Sequence, residues 1–116
     1  MVMEITARVV GDVTILRLKG RMILEEGEVP LKAAVDDLLR QDRARILLDM
    51  ADVSYIDSAG VGMIVSKYVS VHRHGGRLKL MRVTPRVARV LQITKLSSVF
   101  AVFDAEPDAV ASFAGP

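Results

Sequence analysis

The sequence predicts an α/β fold: a mixed β-sheet that begins as an antiparallel hairpin, continues through parallel crossovers and packs with about four helices. Two alternating segments separated by Gly11-Asp12 indicate the hairpin. Apolar residues at helical spacing follow Pro30, and the next apolar run, Ile46-Leu47-Leu48, is typical of a strand buried on both faces. Strand, helix and strand in this order imply a right-handed crossover. For a chain of 116 residues we expect one domain, 1–116.

The hairpin joins residues 2–10 to residues 13–19 through a two-residue turn in which Gly11 tolerates a positive φ. This turn sets Glu4 opposite Lys19. Side chains alternate between the two faces of a strand, so one face is expected to lie on the core. Its members are Met3, Ile5, Ala7, Val9, Thr14, Leu16 and Leu18. The other face is mostly polar, and we expect it to be at least partly open to water.

The remaining elements follow from apolar periodicity and from residues that start or stop helices. A loop over 20–29 is expected to lead to Pro30 in the first turn of a helix, a position that suits proline. Thr84 before Pro85 is a typical N-cap. The other expected elements are a strand over 45–50, a helix from Ser58 to about His74, strands over 77–83 and 99–103, and a terminal helix from Glu106.

Composition excludes several classes of site. The chain has no cysteine, so disulfides, thiolate chemistry and cysteine–zinc sites are excluded. No apolar run approaches ~20 residues and no signal-peptide pattern is present, so the sequence predicts no membrane span and a cytoplasmic location. With three Phe and two Tyr, the chain has few rings for a stacking platform, and no direct nucleic-acid partner is predicted.

Charge is distributed unevenly along the chain. Residues 58–103 contain no Asp or Glu but carry Lys67, Arg73, Arg77, Lys79, Arg82, Arg86, Arg89 and Lys95. A basic segment of this kind can face an acidic partner or an anionic surface. It can equally form a solvated face that the acidic half of the chain balances in three dimensions.

The run from Asp52 to Gly62 carries the chemistry of this sequence. An apolar strand precedes it and an amphipathic helix follows, which presents Ser58 at a helix N-terminus. Backbone N–H groups lack partners there, and a phosphate would be stabilised. Capping of the helix by Asp57 or Ser58 is the structural alternative. We hypothesise that Ser58 is a covalent switch on a small binding protein.

An enzyme is not predicted. The segment 56–60 nearly matches the nucleophile elbow Gly-x-Ser-x-Gly, but Ile56 stands where the turn needs glycine. His72 follows Ser58 on the same helix at a distance of roughly 21 Å, whereas proton transfer needs about 3 Å. His72 and His74 do not face each other on a helix, so no metal site is predicted.

Gly60-Val61-Gly62 is a weak match to a dinucleotide-binding fingerprint. Val65 stands in place of the third glycine, and no acid follows about 20 residues later to hold a ribose. No cofactor is predicted. A small-ligand or nucleotide binder that uses the helix N-terminus and the basic segment remains an alternative.

The segment Asp49–Gly62, DMADVSYIDSAGVG, resembles the signature of STAS domains, above all of the stand-alone bacterial anti-sigma factor antagonists. The segments 75–78, 84–87 and 91–96 resemble the family's later elements, and the likeness covers about residues 3 to 113. The resemblance implies a STAS-like mixed sheet with helices, in agreement with the fold predicted from the residues.

The resemblance also implies a regulatory function. In this family an anti-sigma factor that is a serine protein kinase phosphorylates the serine directly after the motif aspartate, which is Ser58 here. The unphosphorylated antagonist binds that kinase and frees its sigma factor, and the phosphorylated form lets go. A metal-dependent serine phosphatase restores binding. Ala59 replaces the second motif serine of many members, which leaves Ser58 as the single hydroxyl of the motif.

The predicted partner-binding surface surrounds Ser58. It consists of Asp57, Ser58, Ala59, Gly60, Gly62, Met63, Lys67 and Glu25. Met63 and Lys67 are expected on the solvated side of the helix, where a flexible Met63 suits a partner contact. Glu25 or Glu26 could replace an aspartate that many antagonists carry after the second strand. Two alternatives stay open: a scaffold subunit of a STAS assembly that self-associates, and the cytosolic partner of a membrane transporter.

Overall fold

Nine regular elements follow one another along residues 2–114, the part of the chain that this computed structural model describes. They are β1 (Glu4–Val10), β2 (Val13–Met22), α1 (Leu24–Arg40), β3 (Arg45–Ile56), α2 (Ser58–Arg73), β4 (Arg77–Met81), α3 (Pro85–Ile93), β5 (Val102–Phe103) and α4 (Glu106–Ala111). The strands form one sheet in the order β1-β2-β3-β4-β5, with β1 and β2 antiparallel and the later pairs parallel. The predicted α/β fold and its mixed sheet are confirmed.

Helices cover both faces of the sheet because the central strand β3 is apolar on both sides. Ile46 and Leu48 belong to a large core that α1, α2 and α3 close. Leu47 points to the other face, where α4 closes a smaller core. The buried residues of this smaller core are Val13, Ile15, Leu47, Met81, Ala109 and Phe113. Within residues 2–114, no helix combines the length and the apolar character needed to cross a bilayer.

The hairpin has the predicted register, and Gly11 has a φ of +62° in its turn. The predicted division of its faces is wrong in part. Ala7 and Val9, expected on the core, are exposed, Val9 by 53%. Val13 and Ile15, expected on the polar face, are buried because α4 packs against them. The rest of that face is open to water, as predicted, through Glu4, Thr6, Arg8, Arg17 and Lys19.

Helix α1 begins at Leu24, so the predicted loop over 20–29 and the placement of Pro30 in a first turn are wrong. Pro30 lies inside the helix and cannot donate to the Glu26 carbonyl four residues earlier. The Met3 N–H donates to that carbonyl instead, at 2.9 Å. The segment leading into β1 therefore supplies the donor that proline lacks, and this bond fastens it to α1.

Strand boundaries also differ from the prediction. β3 continues to Ile56 rather than ending at Met50, because it follows β2 as far as Met22 across two register shifts. β4 and β5 are shorter than predicted. β4 ends at Met81, before Arg82, whose φ of +55° is incompatible with an extended strand.

Three basic side chains of the acid-free segment contact acids that lie earlier in the chain. The pairs are Lys67 with Asp36, Arg82 with Asp49 and His74 with Asp42. Asp49 is almost fully buried, and Arg82 approaches both of its carboxylate oxygens. The predicted balance between the basic segment and the acidic half holds for these side chains.

Candidate functional site

Ser58 lies where β3 ends and α2 begins, at the carboxyl end of the sheet. It is the first residue of α2, and its side chain is exposed. Asp57 is the N-cap: its backbone is extended, and its Oδ1 accepts the Gly60 N–H at 2.9 Å. Because Asp57 takes the capping role, the Ser58 hydroxyl faces solvent at a helix N-terminus.

Gly60 and Gly62 differ in whether the surrounding structure has room for a side chain. A Cβ at Gly60 would lie 2.0 Å from the Met22 carbonyl oxygen and 2.9 Å from Ile56 Cγ1. Only glycine therefore allows the start of α2 to pack on the end of β2. A Cβ at Gly62 would meet nothing within 4 Å, and this residue is exposed. Gly60 is required by the fold, whereas Gly62 leaves space on the surface beside Ser58.

The expectation that Met63 and Lys67 lie on a solvated helix face is wrong, since each is only 8% exposed. A Cβ at Gly27 would lie 3.4 Å from Met63 Cε, so the early start of α1 is what covers Met63. Lys67 Nζ lies 3.4 Å from Asp36 Oδ1 on α1. Both side chains line a groove of about 370 Å³ between α1 and α2.

Asp36 forms the polar link between α1 and α2. Its pKa is lowered from its usual range, first by the hydrogen bond from Lys32 and then by the charge of Lys67. Lys32 Nζ donates to Asp36 Oδ2 at 2.7 Å. The carboxylate is thus shared by two lysines, and the nearly buried Lys67 keeps a counter-ion.

The two glutamates proposed for the β2–α1 region have different environments. Glu25 is exposed in the first turn of α1. Glu26 is buried, and its carboxylate is bound by Arg21. Glu25 is therefore the acid of this pair that can meet a partner.

The histidines lie at the opposite end of α2 from Ser58. The His72 ring stacks on Tyr68, with centroids 4.9 Å apart, and His74 Nε2 lies 3.0 Å from Asp42 Oδ1. Neither arrangement offers Ser58 a base. Among residues 2–114, no cluster of three or more His, Asp or Glu side chains is placed to hold a metal ion.

Sequence reasoning missed one pair of residues near Ser58. The Arg86 guanidinium carbon lies 5.9 Å from the centroid of the Tyr55 ring, and both side chains are exposed. Arg86 belongs to α3, whereas Tyr55 lies near the end of β3. No spacing rule relates the two, and only the longer β3 brings Tyr55 to the edge where α3 begins.

Comparison with known proteins identifies the family. The model of the family described as STAS domain matches residues 4–109. The chain belongs to the STAS domain family.

Its relatives include anti-sigma factor antagonists. The anti-sigma-B factor antagonist of Bacillus subtilis (strain 168) is 33% identical over 96 residues, which cover 83% of this chain and 78% of that protein. A Thermotoga neapolitana protein, described as a homologue of the candidate anti-sigma factor antagonist TM1081, is 33% identical over 108 residues, covering 93% and 96%. The crystal structure of TM1081 from Thermotoga maritima has a TM-score of 0.83 at 29% identity and covers 94% of this chain and 93% of that one. This STAS domain is thus similar to such antagonists over most of its length.

Proposed function

We propose that this protein is a non-enzymatic regulatory binder, an anti-sigma factor antagonist whose partner is an anti-sigma factor with serine kinase activity. It binds while Ser58 is unphosphorylated; phosphorylation of Ser58 by the partner ends binding, and a serine phosphatase restores it. The observation that carries the proposal is the exposed Ser58 at the first position of α2, in a chain 33% identical to an anti-sigma-B factor antagonist. The proposal includes the cytoplasmic location that the sequence predicts.

Accessibility supports Ser58 as the modified residue. A kinase must bring a phosphoryl donor to the hydroxyl, and the exposed side chain allows this approach. Asp57 already satisfies the Gly60 N–H, so modification of Ser58 removes no capping bond. The folded protein can therefore accept the phosphoryl group without losing the start of α2.

Charge explains how phosphorylation releases the partner. A phosphoserine adds about −1.5 to −2 charges, which the N-terminus of α2 favours while the site faces water. Against a fitted partner surface the same group loses hydration and gains no counter-ion from the partner, at a cost of several kcal/mol. Asp57 directly precedes Ser58 in the chain and adds negative charge beside the phosphate. Since 1.4 kcal/mol is about tenfold in affinity, this cost is enough to release the partner.

The surface around Ser58 is shaped for close approach. Ala59 and Gly62 are exposed, and the open space at Gly62 lets a partner's backbone come near α2. Glu25 adds an exposed carboxylate at the start of α1. Met63 and Lys67 take part only through the groove between α1 and α2.

The test uses Ser58→Asp and Ser58→Ala, with Ser98→Asp as the matched control, because Ser98 is also exposed but lies between α3 and β5, outside the proposed docking surface. Tagged proteins capture partners from the source cells, and intact-mass analysis identifies the captured protein and any gain of about 80 Da, one phosphoryl group. We expect wild type, Ser58→Ala and Ser98→Asp to bind alike and Ser58→Asp to bind roughly 10- to 100-fold more weakly. Equal binding by Ser58→Asp and Ser58→Ala would refute the switch.

A further inference from the structure

Arg86 is an exposed arginine at the start of α3. Among residues 2–114, no carboxylate lies within ion-pair distance of its guanidinium group. The Arg86 guanidinium carbon instead lies 5.9 Å from the centroid of the Tyr55 ring. Tyr55 is 41% exposed, so this cation–π contact is of the weaker, solvated type.

The topology brings Arg86 to the edge of the sheet that holds Ser58. β3 and β4 are parallel, so the helices that follow them, α2 and α3, both begin at the carboxyl end of the sheet. Helix α3 packs against both β3 and α2. Ser58 follows Tyr55 by three residues, a stretch that spans at most about 11 Å. The Arg86 guanidinium thus lies over the ring of a residue that is separated from Ser58 by a short stretch of chain, at the edge of the sheet where α2 and α3 both begin.

We propose that Arg86 captures the phosphate of phosphorylated Ser58. This inference rests on the proposed function, because it requires a phosphoryl group on Ser58. Arg86 leaves the Tyr55 ring and forms a charge-assisted, bidentate hydrogen bond to the phosphate, the stronger of the two interactions. The Asp57 carboxylate already accepts the Gly60 N–H.

Capture by Arg86 gives phosphorylation a second effect on the docking surface. The modification hides the Ser58 hydroxyl and also withdraws an exposed arginine, a residue type enriched at interface hot spots. A partner that meets Arg86 with an acidic group thus loses two contacts through one modification. The phosphate is at the same time held on the antagonist by a positive charge.

The test places phosphoserine at position 58 during translation, so that no kinase is needed, and follows the phosphate by ³¹P NMR during a pH titration. We expect Arg86→Ala to raise the second pKa of the phosphate by about half a unit to one unit relative to the otherwise unchanged protein. Arg86→Lys should recover part of the shift. Arg77→Ala is the matched control, because Arg77 is an exposed arginine of the same acid-free segment at the other end of β4.

If the second pKa of the phosphate is the same in Arg86→Ala and Arg77→Ala, the capture is refuted, because both substitutions then act on the phosphate only through long-range charge. Failure of the capture can be distinguished from failure of the proposed function. A captured phosphate can be found even where phosphorylation leaves partner binding unchanged, and a working switch can be found without capture. Both arginines are exposed, and a ¹H–¹⁵N spectrum of each variant checks that the fold is retained.

Discussion

Replacing Gly60 by alanine tests whether the start of α2 is held against the sheet as tightly as the geometry implies. The new Cβ would lie 2.0 Å from the Met22 carbonyl oxygen and 2.9 Å from both Ile56 Cγ1 and Met22 Cγ. Real Cβ atoms essentially never show contacts under 3.0 Å, so α2 must move away by about 1 Å. That movement disturbs buried packing around Met22 and Ile56 and the Asp57 cap.

The magnitude follows from these terms. Overpacking costs about 1–3 kcal/mol, a weakened cap about 1 kcal/mol, and the better helix propensity of alanine returns about 1 kcal/mol. We therefore expect Gly60→Ala to lower the free energy of unfolding by about 1–3 kcal/mol. Gly62→Ala is the matched control, because its Cβ would meet nothing within 4 Å and should raise stability by about 0.5–1 kcal/mol.

Urea unfolding followed by circular dichroism measures the free energy of unfolding of both variants. The comparison is valid when this free energy falls with urea concentration at the same slope in both. The two free energies of unfolding should differ by about 1.5–4 kcal/mol in favour of Gly62→Ala. If Gly60→Ala is as stable as Gly62→Ala, the contact with Met22 is not rigid, and the steric reason given for Gly60 is incorrect.

Two further predictions concern stability. The pKa of Asp36 is lowered in the folded protein, so the ionised Asp36 carboxylate raises the free energy of unfolding. This stabilisation is fully present above the unfolded pKa of about 3.9, and it is lost as the pH falls through the lower folded pKa. At pH 6 the urea midpoint of the wild type should therefore be higher than that of Asp36→Asn, and this difference should close below about pH 4. A difference between the midpoints that does not change with pH would contradict this. Thr84 Oγ1 accepts the Val87 N–H at 3.3 Å and caps α3. Thr84→Ala should therefore lower the free energy of unfolding by about 1 kcal/mol in the same assay. An unchanged urea midpoint would show that the cap contributes nothing.

The sequence predicts the sheet well where one local rule decides the outcome. The two-residue turn at Gly11 sets the register of the hairpin, because each strand residue then has one possible opposite residue. The N-cap at Thr84 is confirmed for a similar reason, since hydroxyl, proline and apolar periodicity all favour the same start. Ser58 and Asp57 lie at the start of a helix, as predicted, because a strand and an amphipathic helix flank them.

The errors come from contacts between segments that are distant in sequence. Pro30 usually marks a helix start, but the Met3 N–H makes an interior proline acceptable. Val13 and Ile15 read as members of a mostly polar face until α4 covers them. Met63 is buried because α1 begins six residues before Pro30 and brings Gly27 against it. In each case the contacting segment lies elsewhere in the sequence, so the local pattern of residues does not reveal the contact.

The rigid start of α2 bears on how a charge at Ser58 can act. Asp57 caps the helix, and Gly60 has no room to move toward Met22. A phosphate on the exposed Ser58 side chain touches neither constraint, so it has no direct means of shifting the helix. The proposed switch at this position therefore works at the surface, through charge and hydration and through exposed side chains such as Arg86. In this proposal the fold supplies a fixed platform, and the modification changes what that platform presents to a partner.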